Sequence, residues 1–576
     1  RNGSVETEGF YEAGDGGGGR WVYTNVTSLT PSQTPAQRVN AEFLNDASGN
    51  QWAIKPEGAL RLESVGAVAG GVTNNDAVFA AATASSFTDF TLGSGTFGCT
   101  RLPLKSFLAF SGQEDMSTIL KLIDSGNSTV VYGLTVTDVV LRNFKVDGNK
   151  ANQTLGSASP WRGVYFLGAC HDLLVENVIV NDIQDHGIFF SDGGIPANEC
   201  GKNSVVRGCR AINVGSAAHL AAAGPGGSGI VGGHSTTVFE SCYATLNYLN
   251  GFKSLGSHSQ CYSYSNLGGG FETGFGTNLS KDIKYSQCFS IDNATDGWRN
   301  QSEGVEMLWS GCTAKRNGGS GIMFLNNVDR ATVEGCYFVN NGQLSNTVAR
   351  TATRCHDGIS FSTTSGAPSN ITVTGSHFFD DQATKTQEYH MYFNGAVDGI
   401  DIDSSNNFGV AKTQPLFFES SSLAGGVSIG NAKGLSSTFK TTASSIVTGT
   451  TSLTDINTTT IDASSFPAGL QLEIKGSGNI SGTTAQKLLR FDFAGSQIIL
   501  ANLSAAQVGD YFYKIEIMRL GTELLINYES TSVAGVLSGT FSPSLGSSAS
   551  ITLKSTGQLV NSADNITEKV FTLKSV

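Results

Sequence analysis

Charged residues make up only 15% of this 576-residue chain. Even so, Lys253, Glu272 and Arg299 recur at one position of successive short repeats, and Asp296, Glu303 and Glu306 lie close by. Acids and cations grouped in this way suit work on a sugar chain. Glycoside hydrolysis needs two carboxyls across one bond, one to protonate the leaving oxygen and one to activate water or attack directly. Glu272 with a second acid from Asp296, Glu303 or Glu306 offers such a pair, with Glu272 as the expected general acid. Lys253 and Arg299 oppose the raised pKa that this role needs. The same cations suit a carboxylate on an acidic sugar, Arg by a two-pronged contact. They also suit the base of a polysaccharide lyase, which removes a proton next to a uronic carboxylate. A surface ion-pair ladder of little energetic weight is the plain alternative. No compact Asp cluster suggests calcium and no Cys/His set has zinc spacing, so no metal or cofactor is expected.

The repeats that position these side chains are visible in two ladders. Cys209, Cys242, Cys261, Cys288, Cys312 and Cys336 share one local frame, as in VVRGCRAIN and TVEGCYFVNN. In phase with them, Asn247, Asn266, Asn293 and Asn317 each stand four residues before a glycine that opens a short apolar strand. Repeats of this length, built from short strands and Asn/Gly turns, form a stacked coil. The fold class is all-β, a right-handed single-stranded parallel β-helix. A cysteine at one interior level of each coil is a small buried hydrophobe, so free thiols are expected.

Strands alternate faces with period two. Counting from each glycine, the first and third residues are mostly apolar and point inward. The second residue then points outward, giving the column Tyr165, Phe189, Val231, Lys253, Glu272, Arg299, Met323 and Ser360. This column is read as a solvent-facing strip on which sugar rings stack against Tyr165 and Phe189. Asp296 stands in the turn before Gly297, as His186 and Asp357 stand before their glycines; a turn-forming role for Asp296 is the alternative. Glu306 is expected outward on the following strand, level with Asp282 and Arg330, and a solvated face is the alternative for it and for Glu303. His186, His234 and His258 are isolated and read as turn or surface residues, with His234 kept as a candidate substrate contact.

Net charge is −12, which argues against nucleic acid as a partner. No run of 18 apolar residues spans a membrane. Residues 1–60 are polar and turn-rich, with DGGGGRW at Asp15–Trp21 and a short helix expected near Pro35–Leu44. Asn74-Asn75-Asp76 precedes an apolar run of helical spacing, so an N-capped helix is expected to cover the end of the coil stack. The β-helix is assigned to 61–430. Insertions at 149–160, 192–203, 215–227 and 341–356 break its period. Ser/Thr-rich strands at 436–576 read as a C-terminal β-sandwich, for trimerisation or carbohydrate binding.

The stretches GAVAGGVTNNDAVFAAA and GFYEAGDGGGGRWVYT resemble the capping segment and lead-in of bacteriophage tailspikes of the pectate-lyase-like β-helix superfamily. The resemblance covers about residues 9–425. It implies a homotrimer that joins the phage tail or baseplate through an upstream domain, sits on the virion, and binds and cleaves bacterial capsular or O-antigen polysaccharide with acidic pairs. On the same fold, a lyase or a non-catalytic adhesin stays open.

Overall fold

The computed structural model describes residues 4–7, 18–23, 43–45, 51–154, 161–193, 200–223, 226–273, 282–300, 306–325, 328–345, 347–349, 355–362, 368–394 and 397–418, and beyond 418 the strands alone. The chain divides into two compact units, Arg1–Thr295 and Asp296–Val576.

In the first unit a coil consists of three strands, for example Phe252–Ser254, Ser257–Ser259 and Tyr262–Tyr264. Each pairs in parallel with its counterpart in the next coil: Lys253 opposite Glu272, His258 opposite Tyr285, Ser263 opposite Ser290. The bend between the second and third strands has one cause throughout. The residue before each ladder cysteine is left-handed: Gly208 at φ 62°, Ser241 at 51°, Gln260 and Gln287 at 52°. The corner turns there and drops the cysteine thiol into the core. All ten cysteines are buried and free, as the ladder predicts.

The inward parity also holds. Phe252 stacks on Phe271 with ring centroids 4.7 Å apart. Beside them runs a second stack, Phe239–His258–Tyr285, at 4.8 and 4.9 Å. His258 therefore sits in the core, not at the surface as its isolation in sequence suggested. It was misread because histidine takes an aromatic's place in a stack when one ring nitrogen finds a partner, here the Ser254 hydroxyl at 2.8 Å. Burial pushes its pKa down to about 3. The imidazole is thus neutral in the fold, while the unfolded chain takes up a proton near pH 6.5. Stability is retained above pH 6.5 and falls as pH drops from 6.5 toward 3. His258→Phe should keep the stack and reduce this acid sensitivity, seen as a smaller loss of melting temperature between pH 7 and pH 4.

Buried asparagines close each coil. Asn266 Oδ1 accepts from Asn247 N at 3.0 Å and Nδ2 at 2.9 Å, and Asn293 Oδ1 accepts from Asn266 N at 3.2 Å and Nδ2 at 2.8 Å. Each side-chain amide thus holds the turn of its neighbour. Near the N-terminus, the helix Asp76–Ala84 buries Val78, Phe79, Ala81 and Ala82. The predicted cap differs in detail. Asn75 makes no side-chain cap; it is buried and bonds Val68 N, Val68 O and Gly98 O, tying the segment before the helix to the strand Gly95–Cys99. The short helix expected near Pro35–Leu44 lies mostly outside the described residues, but Phe43–Asn45 is a strand, paired antiparallel with Gln51–Ile54. Two backbone rows of one antiparallel sheet satisfy each other there, which a two-turn helix at the same residues cannot do.

The second unit repeats the coil. Trp298–Asn300, Ile322–Leu325, Ile359–Ser362 and Tyr389–Asn394 form one parallel run. Inside it, Phe324, Phe361 and Phe393 stack at 5.3 and 4.6 Å. Asn317 donates to Asn341 Oδ1 from both N and Nδ2. After Gln414–Phe418 the pattern changes. Ser437–Thr441 still pairs in parallel with it but pairs antiparallel with Asn565–Ser575. The remaining C-terminal strands pair antiparallel in two sheets. One runs Thr454–Asp462, Ser550–Leu559, Lys487–Phe493, Ser496–Leu503. The other is centred on Gln471–Ser481 and Gly509–Leu520.

Candidate functional site

In the first unit the outward column forms in the predicted register, Tyr165, Phe189, Val231, Lys253, Glu272, and Tyr132 extends it by one strand. Tyr165 stacks on Phe189 at 5.4 Å, and Tyr132 lies 5.6 Å from Tyr165. The strip is not open to solvent as expected, however. Tyr165 is 7% exposed and Val231 1%. Parity fixes which way a side chain leaves the sheet, but not what lies above it. Here the cover is the Arg162 guanidinium, 4.0 Å over the Tyr165 ring and 4.1 Å over Phe189.

Arg162 opens a cluster that the sequence reading missed. Its Nε donates to Asp185 Oδ2 at 3.0 Å. Asp185 Oδ1 lies 3.5 Å from His186 Nε2 and 3.7 Å from His219 Nε2. His186 and His219 are buried. Burial pushes the His186 pKa down to about 4, with Asp185 opposing, so His186 is neutral at pH 7 and is not the surface residue expected. Burial alone would raise Asp185; its bond to His219 and the nearby cations hold it below the usual carboxylate range. His219 comes from the helix Ala217–Ala223, inside an insertion. Only its position in a period-breaking segment hinted at function.

Further along the column, Lys253 Nζ lies 3.1 Å from Glu272 Oε1, and Asn250 Nδ2 donates to Glu272 Oε2. Both oxygens of Glu272 are therefore engaged. His234 bonds within its own turn, Nδ1 lying 2.9 Å from the Thr236 hydroxyl.

The second unit holds a pair of acids. Asp296 and Asp357 occupy equivalent turns, and both are buried. Asp296 Oδ1 accepts from Ser320 N at 2.9 Å. Asp357 Oδ2 accepts from the Ser360 hydroxyl at 2.5 Å, and Oδ1 from Tyr389 N at 3.2 Å. The Ser320 and Ser360 hydroxyls meet at 2.6 Å. His356, beside Asp357 in sequence, places Nδ1 3.8 Å from Glu388 Oε2. The Asp296 pKa is raised from 3.8 to about 6. Burial is the main cause and the Asp357 charge adds to it, while Arg299, the Ser320 amide and His356 oppose. Gly319 makes room for this carboxylate, since a Cβ there would lie 2.3 Å from Asp296 Oδ1.

Arg299, Met323 and Ser360 keep the expected column register. Met323 and Ser360 are nevertheless fully buried, Met323 in an apolar cluster with Leu325, Cys355, Tyr389 and Tyr392. Glu303 lies outside the described residues. Glu306 is exposed and ion-paired with Arg330 at 2.9 Å, level with it as predicted. It immediately precedes Met307–Ser310, a strand of a different sheet from the Arg299 strand. Such a pair contributes at most about 1 kcal/mol. Glu306→Gln should leave the melting temperature and any polysaccharide cleavage unchanged.

No family model and no curated protein matches the chain. Among solved structures it is similar to the A-module of a mannuronan C-5 epimerase from Azotobacter vinelandii, at 17% identity and a TM-score of 0.50, over 64% of this chain and 97% of that one. The fold is the parallel β-helix. The chain is also similar to the gp42 tailspike of an Acinetobacter phage, at 10% identity and TM-score 0.44 over 94% and 91% of the two chains. Tailspike protein 2 of an Escherichia coli O157:H7 bacteriophage matches at 11% identity and TM-score 0.39, over 96% and 77%.

Proposed function

We propose that this protein is a phage tailspike that binds and cleaves bacterial surface polysaccharide by glycoside hydrolysis. The observation that carries the chemistry is the Asp296–Asp357 pair: two carboxyls in equivalent turns, one held protonated up to about pH 6. A carboxyl whose pKa is raised by burial is suited to the general acid's role. In this reading Asp296, not Glu272, donates the proton to the leaving oxygen. Its Oδ2 has no hydrogen-bond partner among the described residues, which leaves that atom for a substrate. Asp357 is the second carboxyl of the pair, as base or nucleophile. Arg299 limits the rise of Asp296 and offers a contact to substrate. Lys253, Glu272, Tyr165 and Phe189 belong to sugar binding.

The tailspike assignment is supported by the resemblance of residues 9–24 and 66–82 to tailspike lead-in and capping segments. A homotrimer goes with it. Tyr243, Leu246, Tyr264 and Leu267 are exposed, and Tyr243 stacks on Tyr262 at 4.7 Å. An apolar stripe of this kind is what a symmetric contact buries. Light scattering should give three times the chain mass; a monomer would contradict the trimer. The function itself is tested by digesting capsular and O-antigen polysaccharides from a host panel, read for new reducing ends and for absorbance near 235 nm. New reducing ends without an ultraviolet gain are expected. An ultraviolet gain would mean elimination, hence a lyase, and binding without either signal would mean an adhesin.

A further inference from the structure

We propose that the first unit carries a subsite for the carboxylate of an acidic sugar, built by Trp161 and Arg162 beside the Tyr165–Phe189 stack. The proposal rests on the reading of the chain as a polysaccharide binder and names the class of polymer. It starts from buried polar atoms that lack a partner, two of them obligate donors. Trp161 Nε1, Arg162 Nη1, His219 Nδ1 and Ser228 Oγ are all buried without a hydrogen-bond partner. They belong to one cluster: the Trp161 and His219 rings lie 6.0 Å apart, His219 and Arg162 both face Asp185, and Ser228 N donates to His186. Elsewhere in the described part of this unit only Glu63 and His258 leave such an atom. Buried polar atoms without partners each cost free energy, and four in one place mark a position that a ligand completes.

The chemistry of these atoms selects the ligand. Indole and guanidinium nitrogens donate and never accept, so the missing partner is an acceptor. The single carboxylate among them, Asp185, is already taken: Oδ2 by Arg162, Oδ1 by the two histidines. Lys253 adds positive charge close enough to lower the His186 pKa. An anionic oxygen pair therefore fits where a neutral hydroxyl would leave Arg162 half-matched. The arrangement also recurs along the column, where the exposed Arg101 guanidinium lies 4.9 Å over the Tyr132 ring. In a chain of net charge −12, two cation-over-ring pairs in line form a local track for an anionic strand.

The test uses the full chain, immobilised, against a panel of bacterial polysaccharides that includes acidic members, their carboxyl-reduced derivatives and neutral members. Binding to at least one uronate-bearing polymer is expected, with affinity falling tenfold or more when its carboxyls are reduced to alcohols. Arg162→Gln should give a comparable loss, and the reduced polymer should no longer distinguish that variant from the parent. Carboxyl reduction changes only the ligand, so the result stands even if Arg162→Gln fails to fold. Affinity unchanged by reduction, binding only to neutral or phosphate-bearing polymers, or no binding at all would overturn the proposal. Cleavage of a neutral polymer would overturn it while supporting the hydrolase. Acid-dependent binding without cleavage would do the reverse.

Discussion

Asp296→Asn is expected to abolish depolymerisation and at the same time to stabilise the protein at neutral pH. A general acid contributes roughly 10²–10⁴-fold to rate, and Asn cannot supply the proton. The stability effect follows from the same burial. The folded pKa of about 6 lies above the ordinary 3.8. The folded chain therefore binds more protons than the unfolded chain between those values. Stability from this group is fully present below pH 3.8 and is lost as pH rises through 6. Above that, the fold holds a buried charge at a cost of about 3 kcal/mol, taking 1.36 kcal/mol per pKa unit. Asn keeps the acceptor for Ser320 N without the charge. The variant should melt higher than the parent at pH 7.5, with the two converging toward pH 4. A melting point lower at every pH would mean that Asp296 serves only as a turn residue.

Asn266→Ala should be the most damaging single change in the ladder. Asn266 accepts two bonds from Asn247 and donates to Ala244 O, Ser263 Oγ and Asn293 Oδ1. Its removal leaves Asn247 N buried with no acceptor at the turn and Nδ2 with Ala211 O alone. An orphaned group costs about 1–3 kcal/mol, so with two donors affected a loss of roughly 2–6 kcal/mol is expected, read from denaturant midpoints. Because the coils stack one on the next, the damage should spread as local opening of neighbouring turns, visible by hydrogen exchange at Asn247 and Asn293.

The repeat made most of the framework legible. Cysteine, asparagine and glycine return in phase, so the stacking, inward parity, free thiols and column register could all be read from sequence. The bend carries its own mark, because Gly208, Gly311 and Gly335 precede ladder cysteines at positive φ. What the repeat cannot carry is anything made by segments outside it. Arg162 folds over Tyr165, and His219 arrives from an insertion helix. Neither contact has a period, so the Arg162–Asp185–His219 cluster left no trace in the pattern. Likewise, parity pointed Met323 and Ser360 outward correctly, but the residues that cover them lie tens of positions away. Asp296 was legible as a candidate because it occupies a turn beside an outward strand. Its partner Asp357 holds the equivalent turn, and only burial distinguishes the pair from ordinary turn-forming acids.

The most direct test is the pH dependence of kcat/KM on a polysaccharide that the protein cuts, measured by reducing-end release from pH 4 to 9. An acid whose pKa in the free protein is about 6 requires kcat/KM to fall tenfold per unit above that pH. Arg299→Gln, which removes a cation that lowers this pKa, should move the falling limb upward. A rate that is flat or rises from pH 6 to pH 8, with no response to Arg299→Gln, would contradict a proton donated by Asp296.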